Sequence, residues 1–115
     1  MWWSSAARRW PAALGLFAVA AASVGETATV PDTGRQTQLR HLLLQDCGSC
    51  HGMTLRGGLG PALTPEALAE KPAEYLYLTI REGHPETPMP PWKGILADEE
   101  IRWLVEQLHN GVRAP

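Results

Sequence analysis

An all-α single domain is the fold class that this 115-residue sequence predicts, and three observations carry the prediction. Apolar residues recur at helical spacing, most regularly at Ile101, Leu104, Val105 and Leu108. Helix starts and stops punctuate the chain at Thr64-Pro65, Pro72, Gly83 and Gly111. Finally, Cys47-Gly48-Ser49-Cys50-His51 puts two thiols and an imidazole at i, i+3 and i+4, which is one face of a helix. No strand-like alternation appears in the sequence.

The elements follow in chain order. Arg8 and Arg9 precede an apolar run, Pro11 to Val24, and small residues at Ala20-Ala21-Ala22 and Ser23-Val24-Gly25 fit cleavage sites. Residues 1–25 therefore read as a cleaved signal peptide for general secretion, whose apolar run is too short to span a bilayer, and no stable membrane insertion is expected after cleavage. Residues 26–36 are polar and unpatterned, the expected flexible leader, and 37–115 form the expected domain. Leu39, Leu43 and Cys47, spaced by four with Leu42 beside them, predict a helix whose apolar stripe runs into the cysteine motif. Arg56 to Pro61 is a glycine-rich loop where backbone passes close to a flat ligand.

Thr64 is the expected N-cap of a short helix with Pro65 at its first position. Pro72 restarts a helix that carries Tyr75, Leu76, Leu78, Thr79 and Ile80 and ends at Gly83. The last helix is amphipathic, with Asp98, Glu99 and Glu100 in its first turn and Gly111 after its end.

Two cysteines three apart followed at once by histidine are the attachment signature of c-type haem. The thiols of Cys47 and Cys50 add across the vinyl groups as thioethers, and His51 becomes the proximal iron ligand. Three other readings use the same residues. A zinc site needs four ligands, and His41, His84 and His109 bring no second cysteine pair. A thioredoxin-like redox pair expects a βαβ context, and a structural disulfide would close a very short loop.

Without Arg8 and Arg9, eight basic side chains face twelve acidic ones, a formal charge of −4 that argues against nucleic-acid binding. A chain this small buries a marginal core by itself. A covalently held apolar ring supplies the missing surface, so little stable folding is expected without it.

The second axial position has two candidates. Met89 lies in Thr87-Pro88-Met89-Pro90-Pro91-Trp92, where prolines stiffen the backbone and hold the thioether out. His84 lies five residues upstream and would give a bis-histidine iron. Met53 is tethered on the proximal side. His41 and His109 read as solvated or packing histidines.

Together, Cys47 to His51, Gly60-Pro61, Met89-Pro90-Pro91-Trp92 and the closing amphipathic helix resemble class I cytochrome c over about Leu39 to Asn110. The resemblance implies a small helical bundle wrapped around one haem, with Pro61 accepting the second N–H of His51, Met89 as distal ligand and Trp92 among the cofactor-binding residues. The stretches Leu39 to Asp46 and Gly57 to Leu68 resemble, more narrowly, the small monohaem cytochromes of denitrification nitrite reductase clusters, the cytochrome c-five-five-X type. Two departures stand out. Class I chains place glycine eight residues before the first haem cysteine and an aromatic in the closing helix, where this chain has Leu39 and Gln107, so bulk is expected to have moved between the crossing helices. Ala97 stands where Ser or Thr commonly caps, so Asp98 is expected to cap one residue later.

The function that follows is one-electron transfer in the periplasm, to or within the nitrite reductase system, by a carrier that is not an enzyme. Its expected partners are nitrite reductase or d-type haem assembly proteins. The alternatives are an accessory redox role in d-type haem assembly, and a ligand-binding haem sensor or enzyme with an open sixth position. The exposed haem edge is expected to be ringed by Gly48, Met53, Leu55, Gly57, Gly58, Pro90 and Pro91.

Overall fold

The computed structural model describes residues 29–113, so the expected signal peptide lies outside the described residues. Among the described residues there are five α-helices: α1 Thr33–Leu42, α2 Gly48–His51, α3 Pro65–Leu68, α4 Ala73–Glu82 and α5 Asp98–Asn110. A π-helical turn, Leu43–Cys47, joins α1 to α2, so the two run on as one bent rod ending at His51. The described residues contain no strand.

Helix α1 begins at Thr33, four residues inside the stretch expected to be a leader. Asp32 is the reason: its carboxylate accepts the Arg35 N–H at 3.0 Å, satisfying a donor that the first turn leaves open. Arg35 in turn pairs with Glu100 of α5. The regular Leu39, Leu43, Cys47 stripe is also corrected, because the π turn inserts extra backbone between Leu43 and Cys47. Leu39 and Leu43 are buried and Cys47 is half-buried.

The core is a single cluster. Leu39 and Ile101 are wholly buried where α1 crosses α5, joined by Leu43, Leu55, Leu68, Leu76, Tyr77, Leu96, Trp103, Leu104, Val105 and Leu108. Burying a side chain such as Leu39 contributes about 1.5–3 kcal/mol. The crossing corrects one expectation. Gln107 is half-buried, but the aromatic bulk has not left α5, because Trp103, one turn earlier, is buried and carries the Arg40 guanidinium 5.1 Å from its ring centroid. Leu39 adds bulk on α1 instead of exchanging it.

The start of α5 corrects another. Ala97 is the N-cap and has no side-chain oxygen, but its N–H donates to the Glu100 carboxylate at 3.0 Å. Asp98 does not cap; its carboxylate accepts from Arg81 Nε at 3.0 Å. Glu100 thus closes the first turn of α5 and takes both Arg35 Nε at 2.5 Å and Nη2 at 3.1 Å. We expect Glu100→Ala to cost about 1 kcal/mol, the worth of a lost cap contact and a screened ion pair. Arg35 holds the Glu100 carboxyl below its ordinary value of 4.5. A depressed carboxyl stabilises the fold fully above that ordinary value, and its contribution disappears as pH falls through the lower folded value. Acid denaturation should therefore show a smaller stability loss between pH 5 and about pH 3 in Glu100→Ala than in the parent.

Candidate haem-binding site

The rod from α1 through α2 delivers Cys47, Cys50 and His51 to one place. Both thiols are free and partly buried, and no disulfide joins them. Burial pushes the Cys47 thiol up to about 11, with Asp46 adding to the effect, so in this fold it is held protonated near neutral pH. Conversion to a thioether removes a group that pays a desolvation cost whenever it ionises. Among the described residues no group of three or more His, Cys, Asp or Glu side chains is placed to hold a metal ion.

After His51 the chain turns back over its own helix end. Gly57 N–H donates to His51 O and Gly60 N–H to Cys50 O, both at 2.8 Å. These bonds bring Pro61 beside the imidazole, where its carbonyl lies 2.7 Å from His51 Nδ1. At that distance Nδ1–H donates to the carbonyl, which fixes the tautomer and leaves Nε2 as the free donor atom for iron. Gly60 makes the approach possible. A Cβ there would stand 2.8 Å from His51 Cε1 and 2.9 Å from Nδ1, so the ring packs against bare backbone. Gly60→Ala should tilt or expel the ring and reduce the yield of protein with correctly ligated iron several-fold, read from the absorption spectrum and the metal content.

Met89 and Trp92 stand on a different element, the loop after α4. Gly83 ends α4 with φ of 75°, and a Cβ there would meet Pro91 N at 2.8 Å and Met89 O at 2.9 Å. The loop is thus seated on glycine backbone that no other residue can replace without strain. His84 N–H donates to Met89 O at 3.2 Å, Met89 N–H to Thr87 Oγ1 at 3.3 Å, and Thr87 Oγ1–H to His84 O at 2.7 Å. Trp92 N–H donates to Ile80 O at 3.1 Å, and its half-buried ring packs on the core. Met89 is partly buried whereas His84 is exposed, its Nδ1 3.3 Å from Pro85 O. His41 is exposed, and His109 is pinned through Nε2 to Lys71 O at 3.1 Å.

The donor set suits a haem. Two thiols and an imidazole project from one rod, the second imidazole nitrogen is already committed to Pro61, and a thioether is framed on a separate rigid loop. The expected rim is corrected at two places, since Gly48 and Leu55 are buried while Met53, Gly57, Gly58, Pro90 and Pro91 are exposed. Gly48 is covered by Met53, whose sulfur lies 3.6 Å from where a Cβ would be.

Similarity to known proteins agrees with this geometry. The family described as "Cytochrome C oxidase, cbb3-type, subunit III" matches residues 34–107. Cytochrome c55X of Pseudomonas aeruginosa is 64% identical over 85 residues, covering 74% of this chain and 71% of that protein. The chain belongs to the cytochrome c55X family. A solved "c-type cytochrome NirC" superposes with a TM-score of 0.71 at 64% identity, covering 74% of this chain and all of that one. The Dihydro-heme d1 dehydrogenase of Pseudomonas aeruginosa is 37% identical over 99 residues, which are 85% of this chain but 18% of that protein. Cytochromes c55X are small monohaem c-type cytochromes of the denitrification cluster, and this chain accordingly carries one haem c, bound covalently through Cys47 and Cys50.

Proposed function

We propose that the protein is a periplasmic one-electron carrier that serves the nitrite reductase system, with His51 and Met89 as the two axial ligands. When bound, the haem supplies a one-electron couple whose potential axial thioether ligation raises. His51 is oriented by Pro61, and Met89 is held by a loop whose backbone is tied at Gly83, His84 and Thr87. The observation that carries the reading is the Pro61 carbonyl 2.7 Å from His51 Nδ1, which leaves Nε2 free, and it is supported by the seat of the Met89 loop on Gly83. A doubly ligated iron has no position left for substrate, so the protein is read as a carrier and not an enzyme. The export-type N-terminal sequence supports the periplasm, and no helix among the described residues is long and apolar enough to cross a membrane.

The partner is proposed to be nitrite reductase. A specific observation favours a second reading, service to d-type haem assembly: a segment similar to this chain makes up 18% of a dihydro-haem d1 dehydrogenase. Dehydrogenation of a dihydro-haem releases two electrons and two protons, so a one-electron carrier would accept them in two encounters. Stopped-flow mixing separates the readings. Reduced cytochrome oxidised by nitrite reductase much faster than by an unrelated periplasmic acceptor supports the first. Oxidised cytochrome reduced by the dehydrogenase only in the presence of dihydro-haem supports the second. Rates no faster than with unrelated proteins in both cases contradict service to this system.

A further inference from the structure

The return loop from His51 to Pro61 contains one residue unlike its neighbours. Leu55 has φ of 58°, a left-handed conformation that crowds any Cβ, in a loop where glycine occupies four other positions. Its side chain is buried, at 5% exposure, whereas Met53, Thr54, Arg56, Gly57, Gly58 and Leu59 around it are all exposed. Leu55 is therefore the one buried side-chain anchor between Gly52 and Gly60. A strained backbone at a non-glycine residue persists where the surroundings demand it.

Its hydrogen bonds show what is demanded. Leu55 N–H donates to Gly52 O at 2.8 Å, closing a tight turn directly after the haem motif, and Leu55 O accepts the Leu63 N–H at 2.8 Å. Leu63 lies two residues beyond Pro61, the residue whose carbonyl meets His51. Proline has no N–H with which to anchor itself. Upstream, Gly57 and Gly60 suspend the loop from the helix end; downstream, the Leu55 to Leu63 bond holds it. The left-handed turn sets the direction of the Leu55 carbonyl, and thereby where the chain leaving Pro61 is held.

We propose that Leu55 is a positioning residue whose buried side chain and left-handed backbone hold the Pro61 carbonyl on His51 Nδ1, and so set how basic His51 is toward iron. The proposal rests on the reading of His51 as an axial ligand and adds the residue that tunes it. A firmly held Nδ1–H bond makes imidazole a stronger donor, which favours ferric iron and lowers the potential. Loosening the anchor should therefore raise the potential and expose the Nδ1 proton.

The test uses holoprotein and three variants: Leu55→Gly removes the anchor and relieves the strain, Leu55→Met keeps an apolar anchor, and Leu108→Ala weakens the core on α5. Two quantities are read, the hydrogen–deuterium exchange rate of the His51 Nδ1 proton by NMR and the reduction potential. Expected are exchange about 10-fold faster and a raised potential in Leu55→Gly, values near the parent in Leu55→Met, and lowered melting with both quantities unchanged in Leu108→Ala. If Leu55→Gly gives no holoprotein, Leu55→Ala is measured and judged by the same outcomes. An unchanged exchange rate and potential in the anchor-free variant overturns the proposal, as does an equal shift in Leu108→Ala. Whether His51 is a ligand is read first and separately, from its hyperfine-shifted ring signals in the ferric parent; their absence would refute the ligand assignment, and the positioning role would fall with it.

Discussion

Replacing Met89 by alanine should open the sixth iron position, remove the sulfur-to-iron charge-transfer band, allow carbon monoxide to bind the reduced protein and lower the potential. Axial ligand identity moves haem potentials over a span of about 0.8 V, so a fall on the order of 0.1 V is expected from exchanging thioether for water. The fold should survive. The Met89 loop is held by the His84 N–H to Met89 O bond, by the Thr87 hydroxyl between His84 O and Met89 N–H, and by its seat on Gly83, none of which uses the sulfur. His84→Ala should leave the band, the carbon monoxide response and the potential nearly unchanged, because its imidazole is exposed and turned to the neighbouring Pro85 carbonyl. The reverse pattern would make the iron bis-histidine. Absorption and potentiometric titration of the two variants decide the matter.

The other large effect concerns the cysteines. Cys47→Ser with Cys50→Ser removes both thioether bonds, and the double variant should be isolated without covalent haem and without a cooperative unfolding transition. The core explains why: twelve buried apolar side chains, eight of them leucine, must hold the described part of the chain with no strand and no disulfide. A domain of this size buries too little surface to leave a comfortable margin over chain entropy, and the haem is part of what it buries. Intact mass and circular dichroism check both halves of the expectation. A double variant that melts cooperatively near the parent temperature would show that the polypeptide core suffices alone.

Much of this was legible from residue types and spacing. The cysteine motif, the Thr64 cap, the Pro72 restart, the Gly83 stop and the amphipathic α5 depend on local chemistry, which a sequence displays directly. What was hidden depends on contacts between distant residues. Nothing local marks Asp32 as the cap of α1, because the aspartate precedes polar residues instead of an apolar repeat. Trp103 falls off the i, i+3, i+4 pattern of its helix and is buried by the N-terminal side of the fold, where Arg40 covers it. Glu100 looked like one more acid in a first turn, yet it replaces the missing cap oxygen of Ala97 and binds Arg35, 65 residues away. Leu55 looked like part of an exposed rim and is instead the buried anchor of the loop. A leucine in a left-handed conformation cannot be recognised from its identity, because glycine is the usual signal for that backbone.

The three residues proposed to place the iron divide in the same way. His51 was fixed by the motif itself. Pro61 required the resemblance, and its 2.7 Å contact with the imidazole comes from two glycine N–H bonds to the helix end that no spacing rule predicts. Met89 required the proline frame, but what seats that frame is Gly83, which sequence reading had assigned only to ending a helix.

A carrier with a filled coordination sphere is tested most directly by a potentiometric titration of the intact holoprotein under argon and again under carbon monoxide. A single reversible one-electron wave is expected, with the same midpoint in both atmospheres and an unchanged reduced spectrum. A midpoint that rises under carbon monoxide, with a shifted reduced Soret band, would mean that the sixth position is open and that the protein binds ligands instead of only passing electrons.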